Sequence, residues 1–270
     1  MIPKDFKGRA KRLDDIDLPK LGARIGVGED EIHAVLDVES RGTGFDKQGR
    51  PLILFEPHIF WRELGPGPKR QEAQRAGLAY PNWGMRPYPK DSYPRLIEAM
   101  KIDETAALKS ASWGLGQVLG SNYRAAGFDT VQDMVEAFCH DEEHHLSAMV
   151  GFIKTNRLDD ELRRHDWAGF ARGYNGPGYA KHDYHGRLAR AYARWSRIKD
   201  TKWNPADAVA ETEANEAPQI AVQTKEPAPA VTVPAKSIPR QPDDPGPRAA
   251  PARPGFWKSF WAALTKRAST

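Results

Sequence analysis

The stretch VESRGTGFDKQGRPLILFE, residues 38–56, marks a change from helical to strand-like patterning. Apolar residues recur at helical spacing just before it, which predicts a helix over residues 30–38. Gly42 and Gly44 then end the helix, because glycine disfavours helical backbone. The apolar run PLILFE, residues 51–56, follows the turn-like segment DKQGR and therefore predicts a short β-hairpin.

The remainder of the N-terminal part is patterned mainly for helices. Residues 94–110, 129–156, 158–172 and 183–198 carry apolar residues at helical spacing. The segment YPNWGMRPYPKDSYP, residues 80–94, is rich in proline and aromatic residues and predicts a loop. The predicted fold class is therefore mainly α with one small β-hairpin, an α+β arrangement.

Composition divides the chain into three parts. Residues 205–254 hold 11 of the 22 prolines and no aromatic residue. Such a segment cannot bury enough apolar surface to offset the entropy of ordering, so we predict a disordered linker over residues 204–255. The predicted globular domain spans residues 1–203, and a tail over residues 256–270 closes the chain.

The tail, FWKSFWAALTKRAST, combines aromatic and basic residues at helical spacing with no acidic residue. This pattern is typical of a short amphipathic helix on an anionic surface, such as a membrane or lipopolysaccharide. A helix of this length is only marginally stable alone. A tail that packs on its own domain, or that stays disordered, is therefore an open alternative.

Net charge and cysteine content exclude several classes of protein. The 270-residue chain has a net charge of +4, which allows an anionic partner but is too weak to indicate nucleic acid. Cys139 is the only cysteine, so no internal disulfide is possible. The sequence shows no apolar signal segment and no run of about 18 apolar residues that could span a membrane. We therefore expect synthesis in the cytoplasm, with a separate release step if the protein acts elsewhere.

Four short motifs carry the functional signal. In chain order they are Glu39-Ser40, the aromatic loop 80–94, WGLGQV at residues 113–118, and Tyr-Asn-Gly at residues 174–176. Together they resemble the lysozyme superfamily of goose-type lysozymes and soluble lytic transglycosylases. A closer resemblance, to the phage and prophage N-acetylmuramidase family, is carried by AVLDVESRGTGFDKQGRPLILFEPHIF, SASWGLGQVLGSNYRAAGFDTVQDMV and DWAGFARGYNGPGYAKHDYHGRLARAY. It covers nearly all of residues 5–198 and implies a lysozyme-like fold that binds peptidoglycan glycan strands.

Two positions depart from the pattern of these families. Gly116 stands where the wider superfamily prefers methionine, which can reshape the floor of a substrate cleft. Pro57 precedes His58 where a basic residue is expected. Neither departure removes an acidic residue.

Glu39 is the candidate general acid. Cleavage of a glycosidic bond needs a proton on the leaving oxygen, and a carboxylic acid supplies it near neutral pH only where apolar surroundings raise its pKa. Residues 52–55 of the predicted hairpin are expected to provide such an apolar wall. A lone glutamate at a helix end is more often an exposed charge, so the catalytic role depends on the resemblance.

The identity of a second carboxylate is open. Retaining glycosidases place it about 5–5.5 Å from the acid and inverting ones about 6.5–9.5 Å away. Glu56 is the first candidate and Asp46 the next, although Glu56 could equally be a strand-end charge paired with Arg62. Lytic transglycosylases of the superfamily need no second carboxylate, because the acetamido group of the substrate takes part.

Further site residues follow from the resemblance. Gln117, Tyr174 and Asn175 are expected to hold acetamido and hydroxyl groups of the sugar, with Ser40 as a hydrogen-bond partner. Four aromatic residues offer flat faces for sugar rings: Trp113, Tyr80, Trp83 and Tyr88. Structural roles are the alternative, because serine competes for backbone groups at helix ends, asparagine marks turns and aromatic residues cover core edges.

The stretch HDEEH, residues 140–144, matches the H-x-x-E-H pattern of a class of zinc peptidases. At 100° per residue, however, His140 and His144 fall opposite the apolar face of the helix, which predicts solvated histidines and no metal site. The same periodicity places Glu142 within the apolar face, where a carboxylate needs partners. We predict that Glu142 is buried and paired, with backbone groups of residues 112–117 or with an arginine from the last helices.

These observations predict a monomeric peptidoglycan hydrolase that needs no cofactor. It would cut the β-1,4 bond between N-acetylmuramic acid and N-acetylglucosamine, as a phage or prophage endolysin acting in the periplasm and cell wall. A lytic transglycosylase with a 1,6-anhydro product is one alternative. A non-catalytic peptidoglycan-binding or tail-structure protein is another.

Overall fold

The computed structural model describes residues 1–40 and 42–204, so the predicted linker after residue 204 and the whole tail lie outside the described residues. Its helices are α1 (Asp17–Ala23), α2 (Glu29–Glu39), α3 (Pro57–Glu63), α4 (Pro68–Arg75), α5 (Tyr93–Ile102), α6 (Glu104–Lys109), α7 (Val131–His140), α8 (Glu142–Thr155), α9 (Asp159–Arg163), α10 (Trp167–Asn175) and α11 (Tyr184–Trp195). Its strands are β1 (Ile53–Phe55), β2 (Ala111–Trp113) and β3 (Val118–Leu119). The mainly helical fold class with a small β element is confirmed. No helix in this part of the chain is long and apolar enough to span a bilayer.

The β element is a three-stranded antiparallel sheet in the order β1-β2-β3, and the prediction of a simple hairpin was wrong. The turn after Gly44 closes only a single bridge, between Phe45 and Pro51. Strand β1 pairs instead with β2, almost sixty residues later, with Ile53 opposite Trp113. Leu54 and Phe55 are both buried although they point to opposite faces, so β1 needs apolar cover that a surface hairpin cannot supply.

Three predicted long helices are each broken at an aspartate. Asp103 separates α5 from α6, Asp141 separates α7 from α8, and Asp166 precedes α10. Each carboxylate accepts a hydrogen bond from the backbone N–H three residues later, which is the N-cap arrangement. The breaks let the chain change direction while the apolar periodicity continues on both sides.

The described residues have two hydrophobic clusters. The first surrounds the sheet and α3 to α7, and its largest buried side chains include Phe55, Phe60, Trp113 and Phe138. The second joins α2, α8, α10 and α11 through Ile32, Leu146, Met149, Phe170 and Leu188. Helix α8 packs into both clusters, because Ala148 faces the first and its neighbours Leu146 and Met149 face the second.

Candidate active site

Glu39 is the last residue of α2 and is only 1% exposed. The helix ends there because Ser40 is extended, while its N–H still bonds the carbonyl of Leu36 at 2.8 Å. Helix α11 packs along α2, and Arg187 donates to the carbonyl of Val38 at 3.3 Å. The end of α2 is therefore held inside the second hydrophobic cluster rather than fraying into solvent.

The two carboxyl oxygens of Glu39 have different surroundings. The Asn175 side-chain amide donates to Oε1 at 2.9 Å. Oε2 is buried without a hydrogen-bond partner among the described residues. Asn175 is the last residue of α10, and Gly176 follows with a φ of +81°, a left-handed conformation that favours glycine. The Tyr-Asn-Gly motif thus ends a helix and aims an amide at the predicted acid.

Burial raises the pKa of Glu39 from its ordinary value of 4.5 to about 7. The hydrogen bond from Asn175 and the charge of Arg187 both act to lower this pKa, but the cost of desolvating the carboxylate is larger. Burial also raises the pKa of the Tyr174 and Tyr184 hydroxyls, with a smaller contribution from the charge of Glu39. The carboxyl group is therefore in an environment that keeps it protonated up to about neutral pH.

An apolar wall from residues 52–55 beside Glu39 stays a prediction, and the polar groups that reach the Glu39 carboxyl come from elsewhere. The groups that interact with its carboxyl come from α10 and α11, and no hydrogen bond joins it to β1 in the described part of the chain. Arg187 and Tyr184 were missed because one arginine and one tyrosine in a basic, aromatic-rich helix carry no distinguishing signal.

The loop that follows Glu39 is hydrogen-bonded to Glu142, the first residue of α8. Glu142 is 2% exposed and accepts hydrogen bonds from the N–H of Gly44 at 2.6 Å and of Leu13 at 3.1 Å. Arg12 Nε also donates to it at 3.1 Å, while the same guanidinium contacts Thr43 Oγ1 and the Gly42 carbonyl at 2.8 and 2.7 Å. The prediction that Glu142 is buried and paired is confirmed.

The predicted partners of Glu142 were wrong. They come from the N-terminal segment and from the loop after Glu39, not from residues 112–117 or the last helices. The assumption of one continuous helix over residues 129–156 caused the error. The break at Asp141 makes Glu142 the start of a new helix, beside the N-terminal segment that pairs Lys11 with Asp141.

His145, one turn further along α8, is completely buried and joins two loops of the site. Its Nδ1 accepts the N–H of Leu115 at 3.1 Å, and its Nε2 donates to the Phe138 carbonyl at 2.7 Å. A Cβ added at Gly44 or Gly114 would lie 2.3 or 2.7 Å from the imidazole ring, so both loops need glycine to approach it. Burial lowers the pKa of His145 to about 4, which keeps it neutral.

His145 was not predicted, because the H-x-x-E-H pattern that overlaps this segment uses His140 and His144 instead. Its position three residues after Glu142, on the same helical face, was the available signal.

Glu56 is completely buried at the start of α3. The Tyr88 hydroxyl donates to its Oε2, and His58 Nδ1 lies 3.3 Å from the same oxygen. Its Oε1 has no partner among the described residues. Both carboxylate oxygens of Asp46 are used within its own turn. One accepts hydrogen bonds from the backbone N–H groups of Gln48 and Arg50, and the other accepts one from the Arg50 side chain at 2.7 Å. Of the two predicted second carboxylates, only Glu56 keeps a free oxygen.

A family model for N-acetylmuramidase matches residues 29–196, well over half of the chain. The chain belongs to the N-acetylmuramidase family. It is thus a glycoside hydrolase of the lysozyme type, with peptidoglycan as its substrate. A solved structure described as "Crystal structure of Burkholderia AP3 phage endolysin" is similar, at 36% identity and a TM-score of 0.65, covering 70% of this chain and 73% of that chain. No curated protein matches.

Only some of the aromatic residues predicted for this muramidase reach the surface. Trp113 is completely buried and donates to the Leu108 carbonyl, so its role as a sugar platform was wrong. Tyr80 is 6% exposed, so the expectation of an open ring face was wrong there too. Trp113 is part of the first hydrophobic cluster, as is Ala79, the chain neighbour of Tyr80. Trp83 is 43% exposed, and Tyr88 is half-buried against Glu56.

The polar residues predicted to bind substrate all have internal roles in the muramidase domain. Gln117 donates to the carbonyls of Leu52 and Gly114 at 3.1 and 2.8 Å, joining its turn to the residue before β1. Ser40 Oγ accepts the N–H of Gly42 at 3.2 Å, as expected of a serine at a helix end. The ring of Tyr174 stacks on Phe170 beside Glu39. Substrate contacts by these residues stay predictions.

The departure at Gly116 has a local explanation. A Cβ at this position would lie 3.2 Å from Met149 Sδ, so a methionine from α8 occupies the space beside the turn. Pro57 begins α3, a position where proline fits because its missing N–H would have no helical partner.

The zinc interpretation of HDEEH receives no geometric support. His144 is exposed and its Nδ1 contacts Asp141, which raises the pKa of His144 chiefly through that hydrogen bond. The Glu142 carboxylate already accepts hydrogen bonds from Arg12 and from two backbone N–H groups. Within residues 1–40 and 42–204, no group of three potential ligands is arranged to hold a metal ion.

Proposed function

We propose that this muramidase cleaves the β-1,4 bond between N-acetylmuramic acid and N-acetylglucosamine with Glu39 as general acid. The observation that carries the proposal is the asymmetry of the Glu39 carboxyl group. Asn175 donates to Oε1, so that oxygen is the acceptor, and the proton of the neutral acid belongs on the unpartnered Oε2. A pKa of about 7 keeps that proton available near neutral pH.

The reaction uses this proton once in each cycle. Transfer from Oε2 to the glycosidic oxygen lets the bond break, leaving positive charge on the muramic acid ring and a carboxylate at Glu39. Asn175 and the charge of Arg187 favour that carboxylate, so they stabilise the product of proton transfer. The carboxylate then takes a proton from an attacking water, which restores the acid.

Glu56 is the proposed second carboxylate, because its Oε1 has no partner and the Tyr88 hydroxyl orients the other oxygen. Its complete burial favours the alternative of a lytic transglycosylase, in which Glu56 only holds the aromatic loop and the substrate's own groups close a 1,6-anhydro ring. The two reactions share Glu39 and differ in whether water enters the product.

Mass spectrometry of muropeptides released from purified peptidoglycan tests the proposal. Products with a reducing N-acetylmuramic acid end are expected, whereas products lighter by one water would establish the transglycosylase. Glu39→Gln should release neither. Glu29→Gln is the matched control, because Glu29 lies at the other end of α2 and also has a buried oxygen without a partner among the described residues. Activity should persist in EDTA, and loss of activity restored by zinc would contradict the mechanism.

In its biological setting the enzyme is proposed to act as an endolysin, made in the cytoplasm of a Gram-negative host and acting on the wall after release. The aromatic and basic tail would bring it to an anionic membrane or lipopolysaccharide. Deleting residues 205–270 should then leave cleavage of isolated peptidoglycan unchanged and weaken binding to anionic vesicles. Equal vesicle binding by both forms would remove the membrane role.

A further inference from the structure

A cavity of about 280 Å³ lies beside the sheet, away from the residues that contact Glu39. Residues 46–53 form one side, including the turn after Glu39 and the start of β1. Residues 90–93, at the start of α5, form the other. Its volume is at the small end of the roughly 300–1,000 Å³ of ligand pockets, which suits a short segment rather than a whole glycan strand.

Strand β1 offers this cavity unused backbone groups. Antiparallel strands alternate between residues whose backbone groups face the partner strand and residues whose groups face away. Gly114 N bonds Leu52 O and Glu56 N bonds Ser110 O, so the even-numbered residues of this segment face β2 with their backbone groups. The N–H and C=O of Ile53 therefore point away from β2. Strand β1 is the edge of the sheet, and no described residue bonds either group of Ile53.

The charges around the cavity favour an anionic ligand. Arg50 bonds Asp46 at 2.7 Å and Asp91 at 3.2 Å, so this cation offsets one of the two acidic charges and one negative charge remains in the wall. Lys47 and Lys90 are exposed at the cavity and have no ion-pair partner among the described residues. The three cations and two acidic residues that line the cavity give it a net charge of +1, beside an open strand edge.

We infer that this cavity binds the short acidic peptide carried by N-acetylmuramic acid. The peptide backbone pairs with Ile53 along the open edge, and its carboxylates lie beside Lys47 and Lys90. An extended peptide satisfies both observations, because edge pairing needs alternating N–H and C=O groups and the lysines need anions. A strand stripped of its peptides keeps only the lactyl carboxylate of each muramic acid and has no peptide backbone to pair with the strand edge.

The inference rests on the proposed function, which places the muramic acid ring at Glu39. The chain between Glu39 and Ile53 is only thirteen residues long, and Gly44 O accepts the Leu52 N–H at 2.7 Å. The loop after the predicted acid and the start of β1 are therefore joined directly. A peptide on the cleaved sugar would follow this loop from Glu39 to reach the cavity.

Uncrosslinked glycan strands, used with their peptides and after enzymatic removal of those peptides, test the inference. Lys47→Gln/Lys90→Gln should reduce kcat/KM about tenfold on peptide-bearing strands, mainly through KM, since charged hydrogen bonds are among the stronger contacts. On bare strands the change should stay within about twofold. The matched control is Lys4→Gln/Lys154→Gln, which removes two exposed lysines outside the cavity.

An equal loss on both substrates, or no loss on either, would overturn the inference. Cleavage of bare strands by the unmodified protein tests the proposed function separately, because that reaction needs no peptide. If neither substrate is cleaved, calorimetric titration of free stem peptide decides the question. Binding to the unmodified protein that is lost in the double variant supports the site, and absence of binding removes it.

Discussion

Glu39 and Glu142 are the same chemical group at nearly the same burial, 1% and 2% exposed, yet their surroundings are opposite. Glu142 receives two backbone N–H groups and the side chain of Arg12. Glu39 receives one amide and keeps a buried oxygen without a described partner. A saturated carboxylate stabilises structure, whereas an unsaturated one holds a proton that it can give away. Burial alone therefore does not separate a structural acid from the proposed catalytic one.

The largest expected contrast is in activity. Glu39→Gln should reduce turnover of peptidoglycan about a thousandfold, in the range that general acids contribute. Glu142→Gln should reduce it less than about tenfold, because the variant keeps one acceptor for the loop. Both are measured as kcat on isolated peptidoglycan, with circular dichroism to confirm folding. Comparable losses in the two variants would erase the distinction between the residues.

For stability the order should be reversed, with the larger loss expected on substitution of Glu142. Glu142→Ala leaves the N–H groups of Leu13 and Gly44 without an acceptor, at a cost of about 2–4 kcal/mol in the free energy of unfolding. Arg12 is largely exposed and adds little, because solvent screens its charge. For a domain of this size the melting temperature should fall by about 5–10 °C. An alanine variant as stable as the unmodified protein would contradict the structural role.

Glu39→Gln should instead stabilise the protein, and only at higher pH. The folded pKa of about 7 lies above the ordinary value of 4.5, so the folded state binds the proton more tightly than the unfolded state does. The stabilisation from that proton is complete below pH 4.5 and is lost as pH rises through 7. The variant has no such loss and should gain up to about 3 kcal/mol at pH 8, with little difference at pH 4. Chemical denaturation at both pH values measures this, and an equal gain at the two would show that the carboxyl does not titrate as described.

The smallest expected effect is a shift in the pH dependence of activity. The rate should fall as pH rises above about 7, when Glu39 loses its proton. Asn175→Leu removes a hydrogen bond that lowers this pKa and should move the decline to higher pH. Asn156→Leu, at the end of α8, is the control and should leave the profile unchanged. A shift to lower pH would mean that Asn175 does not stabilise the carboxylate.

The sequence by itself determined the helical class, the end of α2 at Glu39 and the order of the motifs, because these depend on local spacing and turn chemistry. Apolar periodicity also predicted the burial of Glu142, although the structure divides the assumed helix at Asp141. Local pattern could not give the partner of β1, which comes from a segment almost sixty residues away. That pairing depends on how buried apolar faces meet in three dimensions.

The tertiary structure alone decided which chemistry each residue can perform. Trp113 and Trp83 are the same residue type in motifs of similar appearance, but one is enclosed by the core and the other is exposed. The partners of Glu142 became visible only once the N-terminal segment was placed beside α8. The raised pKa of Glu39 likewise comes from burial of the end of α2, against which α11 packs. Desolvation and long-range hydrogen bonds arise from residues distant in the chain, so no local pattern records them.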